Sequence, residues 1–410
     1  MKKMTLFILG LALSLGATAQ TQVVKDAEDA MKKGEPFATV EKIITPALTN
    51  PETAQQAKTW FIPGEAAFKQ YDKLLGMKQF KQLKTAKDSI EMDLLLIPAY
   101  NYIVKALPLD SLPNEKGKVK PKYSKDIYST LVGHYGDFTN AGAELYYAKD
   151  YKNAYELWNI VVKLSENPNM TKLFKDRGIQ ADSTFVGEIA FNQALAAWQL
   201  ENFDDALEAY LTSLRFGNNK KQVYDYAISV AQSAGKNDTL LALAREALPL
   251  YGAEEPNYIA QIVNYYLQKK DFENGYSAIN QAIAMDPSKS QNYVIRGVLS
   301  EQSGKTDEAM ADYKKAFELD PENAQALYYY GHLLCEKAYK YNDESPTNEE
   351  EYVTYFNEKI KPLFLEAVEV LERSYSIDPD NRDVLLYLEN AYYNLKDQQN
   401  YDDVQKRKQY

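Results

Sequence analysis

Two histidines, one cysteine, one Gly-Lys-Thr and a wide scatter of acids are the residues of this chain whose types could do chemistry. His134 and His332 stand far apart and have no cysteine companions, so they offer no zinc-ligand spacing. Cys335 is the only cysteine and can form no intramolecular disulfide; the helical pattern around it, 324–337, makes it a small buried hydrophobe. The Gly-Lys-Thr at 304–306 could open a phosphate-binding loop. Such a loop needs a second glycine five residues before the one that precedes the lysine, so that backbone amides can wrap the phosphates, and Leu299 stands there. No G-x-S-x-G elbow, G-x-G-x-x-G turn or calcium-loop spacing occurs. The acids fall on helical faces where carboxylates are simply solvated, and no pair is marked out for glycoside hydrolysis. These residues assign no catalytic centre, metal or cofactor, and the expectation is a chain that is not an enzyme.

Charge narrows the partners. With 47 Lys and Arg against 58 Asp and Glu the formal charge is −11, which argues against nucleic acid, where affinity comes largely from cations on phosphates. At the start, Lys2 and Lys3, an apolar run from Leu6 to Leu15 and Ala17-Thr18-Ala19 before Gln20 read as a secretory signal peptide cleaved after Ala19. The run is too short to span a bilayer comfortably. Bacterial lipoproteins carry cysteine directly after the cleavage point, and Gln20 occupies that place. The expectation is a soluble periplasmic protein with no lipid anchor and no transmembrane segment in the mature chain.

The elements that would position any functional group are helices. In GKTDEAMADYKKAFELDP, 304–321, Ala309, Tyr313, Ala316 and Phe317 fall on one stripe, while Lys314, Lys315 and Glu318 face water. Gly304 then ends the preceding helix, and Asp307 sits in the first turn of the next, where an acid suits the positive helix end. The pattern repeats: Pro287 and Pro321, Ala282 and Ala316, and Gly275 and Ala309 are each 34 residues apart. A fixed period of that size marks a solenoid.

Within 290–323, one helix carries Tyr293 and Gly297, a turn follows at Ser303-Gly304, and a second helix carries Ala309, Tyr313 and Ala316 before Asp320-Pro321. This unit resembles the tetratricopeptide repeat, with its aromatic and small residue on helix A, its Ala, aromatic and Ala on helix B, and its closing proline. Small residues at Gly297 and Ala309 let the helices approach, and Tyr293 and Tyr313 fill the space between hairpins. Arg296 departs from the leucine usual in the family. Residues 187–220 fit well through Ala206 and Tyr210, 221–255 loosely through Ala244 and Ala247, and 256–289 through Tyr266, Ala282 and Pro287. Residues 135–168 fit through Gly142, Ala154 and Trp158, and 20–53 weakly through Gly34 and Pro51. The unit from Ala324 keeps Gly331, but its partner alanine is Ala367, so about two dozen residues are inserted, among them the acidic NDESPTNEEE of 342–351. Between 54 and 134, Pro63-Gly64 and Pro98 interrupt the helical patterns.

The resulting organisation is a signal peptide (1–19), irregular helices of similar type with a lysine-rich linker (20–134), a regular array (135–323), a stretched repeat with the acidic insertion (324–381) and a C-terminal capping repeat (382–410). The resemblance implies an all-α fold, a right-handed superhelical solenoid of antiparallel helix pairs. It also implies a non-catalytic scaffold for a protein or peptide partner in the bacterial envelope, held on a concave face lined by helix A. Helical spacing from the core residues puts Asn140, Tyr147, Asn192, Trp198, Gln261, Asn264, Tyr329, His332, Tyr387 and Asn390 on that face. Amides bond peptide backbone or sugar hydroxyls, and aromatics give rigid contact area, so a glycan is the alternative ligand. The Lys and Arg with which cytoplasmic relatives clamp a terminal carboxylate are missing from this face.

Two further features stay open in the sequence. The linker at 113–126 holds five lysines and reads either as solvated chain or as a contact for anionic lipid or another subunit. Asp88-Ser89-Ile90, Asp110-Ser111-Leu112, Asp182-Ser183-Thr184 and Asp238-Thr239-Leu240 resemble a short O-glycosylation sequon of exported bacterial proteins, and equally suit helix starts.

Overall fold

The computed structural model describes residues 20–409 apart from 84, 114–115 and 253–256. The expected leader and its cleavage point lie outside the described residues. Among those residues the chain is helical throughout, without a strand; a single isolated bridge pairs Pro113 with Val119. The chain divides into two compact units, Met1–Gly235 and Lys236–Tyr410.

The first unit contains α1 (20–32), α2 (Phe37–Thr49), α3 (Ala57–Gln79), α4 (Ala86–Asp93), α5 (Leu96–Asp110), α6 (Ser124–Gly133), α7 (Tyr135–Tyr147), α8 (Tyr151–Glu166), α9 (Pro168–Asp176), α10 (Ser183–Gln199), α11 (Phe203–Arg215) and α12 (Lys221–Ser233). The second contains α13 (Asn237–Tyr251), α14 (Asn257–Gln268), α15 (Phe272–Met285), α16 (Ser290–Gln302), α17 (Thr306–Leu319), α18 (Ala324–Asp343), α19 (Glu349–Tyr355), a π-helical turn (Phe356–Ile360), α20 (Lys361–Ile377), α21 (Asp383–Leu395) and α22 (Gln398–Arg407). Consecutive helices joined by short turns pack as antiparallel pairs, among them α7 with α8, α10 with α11, α16 with α17 and α21 with α22, and each pair packs on the next within its unit. That is the architecture of a helical solenoid.

Local chemistry explains the punctuation. Asp150, Asn202, Asp271, Asn323 and Asp397 each accept the N–H three residues ahead and so cap α8, α11, α15, α18 and α22. The turn inside a hairpin needs one residue in the left-handed region. Gly304 supplies it without steric cost, and Lys149, Glu201, Lys270 and Lys396 adopt it with side chains. Gly304 is thus a turn residue at φ 78°, Thr306 opens α17, and Lys305 bonds Glu308 at 3.3 Å while lying 4.5 Å over the Tyr276 ring. No phosphate cradle is built from these residues.

Packing follows the repeat chemistry closely in α16 and α17. Ala309, Tyr313 and Ala316 are fully buried, and a Cβ on Gly297 would stand 2.5 Å from the Tyr313 ring, so only glycine lets the ring lie there. The family departure at Arg296 has a partner: its Nε and Nη2 donate to Asp312 at 2.9 and 2.6 Å, and its Nη1 donates to Asn280 at 2.9 Å. The bidentate pair satisfies a nearly buried carboxylate.

The prolines of the irregular region behave differently from their sequence reading. α3 runs unbroken through Pro63 and Gly64, and Pro98 lies inside the first turn of α5. The helix forgoes the bond from position 63 to the Thr59 carbonyl. In return Gly64 admits α5 so closely that a Cβ there would meet Ile103 at 2.9 Å and the Ala99 carbonyl at 3.0 Å. The end of the lysine-rich linker is also fixed, because the Asp110 carboxylate accepts the N–H groups of Lys122, Tyr123 and Ser124 at 2.8–2.9 Å. Of the other Asp-Ser/Thr sites, Asp182 caps α10 and Asp88 completes a capping box with Thr85 at the start of α4.

Candidate partner-binding face

In α18 the residues Ala326, Leu327, Tyr330, Leu333 and Leu334 are buried, which leaves the stripe of Gln325, Tyr328, Tyr329, His332 and Glu336 on the opposite side. In α21 the burial of Val384, Leu385, Leu388 and Ala391 leaves Tyr387 half-buried and Asn390 exposed. The two stripes meet. The His332 ring lies 4.7 Å from Tyr387 at 50° and 6.4 Å from Tyr328, nearly parallel at 17°. Tyr328 contacts Tyr329 at 5.3 Å, and Tyr329 contacts Tyr313 of α17 at 5.1 Å. The result is one aromatic ledge running from α17 across α18 to α21.

Polar groups around the ledge are acidic. The Tyr313 hydroxyl donates to Glu301 at 2.9 Å, and the His332 Nε2 stands 3.9 Å from Glu336. Burial pushes the Tyr328 hydroxyl up to about 12, and the Asp383 and Glu301 carboxylates add to the effect. Tyr387 is raised for the same reason, with Glu336 contributing. Electron-rich ring faces edged by carboxylates attract cations, so the ledge suits Lys or Arg side chains on an extended segment.

Three of the expected contact residues, Tyr329, His332 and Tyr387, are therefore brought together, and Asn390 lies one turn beyond Tyr387 with its Nδ2 bonded to the Leu386 carbonyl at 2.8 Å. The others are spread over separate helices. Gln261, half-buried, and Asn264, exposed, lie on α14; Asn140 is exposed on α7, and Tyr147 at the end of that helix is 84% exposed. On α10, Asn192 is half-buried and Trp198 packs edge-on against Tyr226 at 5.1 Å and Tyr210 at 6.5 Å, so much of its ring serves as a spacer between helices. Tyr328 and Glu301 were missed by the sequence reading. Tyr328 could have been found, since it shares the stripe of Gln325 and His332; Glu301 owes its place to the folding of α17 onto α16.

The remaining reactive types are structural. Cys335 is fully buried and its thiol is pushed up to about 12 by burial. His134 stacks on Phe68 at 4.6 Å and bridges Asp137 at 2.8 Å and Asp72 at 3.6 Å, which ties α7 to α3. Among the described residues no group of three or more His, Cys, Asp or Glu is placed to hold a metal ion, and no helix is long and apolar enough to cross a membrane.

Residues 302–337, which span α17 and the ledge-bearing part of α18, match the family described as TPR repeat. That stretch is a tetratricopeptide repeat. No curated protein matches this repeat protein. Among solved structures, the C-terminal part of a TPR repeat-containing protein from Cytophaga hutchinsonii is 14% identical, with 66% of this chain and 93% of that one covered and a TM-score of 0.40. A TPR repeats protein from Bacteroides fragilis is 17% identical over 66% of this chain and 97% of its own, with a TM-score of 0.32. YrrB, described as a TPR protein with an unusual peptide-binding site, is 19% identical over 52% of this chain and 95% of its own, with a TM-score of 0.32.

Proposed function

We propose that this tetratricopeptide-repeat protein is a non-catalytic scaffold of the bacterial envelope, exported by the leader at 1–19 to the periplasm, where it holds a protein or peptide partner on the helix A faces of its repeats. The observation that carries the reading is the ledge of Tyr328, Tyr329, His332 and Tyr387 with its acidic edge. Rigid aromatic area supplies contact at little entropic cost, and the carboxylates favour a segment bearing Lys or Arg. The test is capture from an envelope extract by the wild type and by a His332→Ala, Tyr387→Ala variant, with crosslinks mapped by mass spectrometry. The reading expects the variant to lose the partner and the wild-type crosslinks to fall on 325–332 and 387–390. Equal capture by both proteins would remove it.

The alternative is a glycan-binding role, and the observation that favours it is Tyr147. Its ring is 84% exposed on the helix that also presents Asn140, which suits stacking of a sugar ring beside an amide. Retention on immobilised glycan, lost in Tyr147→Ala and kept in the ledge variant, would choose this reading over the first.

A further inference from the structure

The insertion that stretches the repeat after α18 returns to the core through the π-helical turn, where the Lys361 N–H bonds the carbonyl of Phe356, five residues back. In an unbroken α-helix the residue stacked over Phe356 would be Ile360, which is fully buried. The wide turn sets Lys361 above Phe356 and leaves Ile360 inside. Such turns are rare, cost hydrogen-bond geometry and recur at functional sites.

The consequence is a cleft of about 600 Å³ between the insertion and the turn joining α21 to α22. Phe356, Asn357 and Lys361 line one side, and Tyr393, Lys396 and Tyr401 line the other. Tyr393 is 71% exposed and its ring lies 6.2 Å from that of Tyr401. Both lysines are exposed, and among the described residues no carboxylate lies within ion-pair distance of either. The nearby acids have other cations: Glu372 and Asp403 bond Arg407, and Glu389 bonds Lys408. Asp397, at the edge of the cleft, is turned into the cap of α22, where it accepts from the backbone and side chain of Asn400.

We infer that this cleft binds an acidic peptide segment, with an aromatic or aliphatic side chain held among Phe356, Tyr393 and Tyr401 and a neighbouring carboxylate paired by Lys361 and Lys396. Charge complementarity selects the class. On a chain of net charge −11, two uncompensated cations flanking aromatic walls favour an anion at short range. A neutral sugar would gain little from the lysines, whereas a peptide can join an apolar anchor to a carboxylate within a volume of this size. The site is separate from the ledge and asks for the opposite charge.

Calorimetric titration with two acetylated, amidated pentapeptides, Gly-Asp-Phe-Glu-Gly and its neutral counterpart Gly-Asn-Phe-Gln-Gly, tests this. The acidic peptide is expected to bind the wild type about tenfold more tightly, with the gap narrowing as salt rises. Lys361→Gln with Lys396→Gln should reduce the acidic peptide to the affinity of the neutral one, and Tyr393→Ala should weaken both. The ledge variant His332→Ala, Tyr387→Ala should bind as wild type, which separates this site from the proposed function. All these positions are partly or fully exposed, and matching melting curves exclude misfolding. Equal wild-type affinity for the two peptides, binding of neither, an unaffected lysine variant, loss of binding in the ledge variant, or uptake of chitotriose in place of peptide would each overturn the inference.

Discussion

The α16–α17 pair and the α3–α5 pair solve the same problem with different means. Both bring two helices into close approach at a glycine. At Gly297 the neighbour is a side chain, the Tyr313 ring; at Gly64 it is the side chain and backbone of α5. In the first region the polar groups are resolved into matched pairs, Arg296 with Asp312 and Tyr313 with Glu301. In the second, Asp93 is almost fully buried beside Glu144, which also holds Lys78 at 2.7 Å, and the Asp93 Oδ2 has no hydrogen-bond partner among the described residues. These pairings belong to the 290–323 unit and are not copied along the array, since Tyr210, placed in its own repeat as Tyr313 is here, has a buried hydroxyl with no hydrogen-bond partner among the described residues.

The contrast can be broken most sharply at Tyr313. Tyr313→Ala empties a fully buried aromatic site and should cost about 4 kcal/mol in a denaturant titration. A loss under about 1 kcal/mol would mean that the ring is not what spaces the hairpins. Gly64→Ala is the matching probe of the other region. Because the added methyl would meet the α5 backbone, which cannot rotate aside, a loss of about 2 kcal/mol is expected. An unchanged midpoint would show that α3 and α5 can part without penalty.

The smallest effect sharpens the electrostatic side of the comparison. Burial, followed by the charge of Glu144, raises Asp93 to about 7 from the ordinary carboxylate value of 3.8. The folded chain therefore holds that proton more tightly than the unfolded chain does. Its stabilising contribution is complete below about pH 4 and is lost as pH rises through about 7. Asp93→Asn keeps a donor toward Glu144 without the titration, so it should be more stable than wild type at pH 8, with the difference shrinking as pH falls below about 4. Parallel stability curves for the two proteins across this window would show that Asp93 does not carry the proton. The buried acid of the regular pair, Asp312, is instead matched by the Arg296 guanidinium.

Much of this was legible beforehand because it is local. The 34-residue spacing, the stripe of Ala309, Tyr313 and Ala316, the turn at Gly304 and the rejection of a phosphate loop all rest on contacts within a few turns of helix. Pro63 misled, since a single missing N–H reads as a break, yet the packing of α3 on α5 outweighs one lost hydrogen bond. The ledge was half visible: helical spacing named Tyr329, His332 and Tyr387 separately, without showing that their rings touch. The cleft at the π-helical turn could not be seen, because α19 before it buries no residue, so no apolar stripe runs up to the turn whose phase could register the extra residue.

The sequence by itself determined the helices, their caps and the period at which hairpins recur, since these depend on side chains three, four or 34 residues apart along one chain. Only the tertiary structure decided which polar groups are paired and which are stranded, that Arg296 has an acid to meet, that the aromatic residues of α17, α18 and α21 join into one surface, and that Lys361 turns outward above Phe356. Those outcomes depend on distances between helices, set by how side chains of different volume fill the space between them.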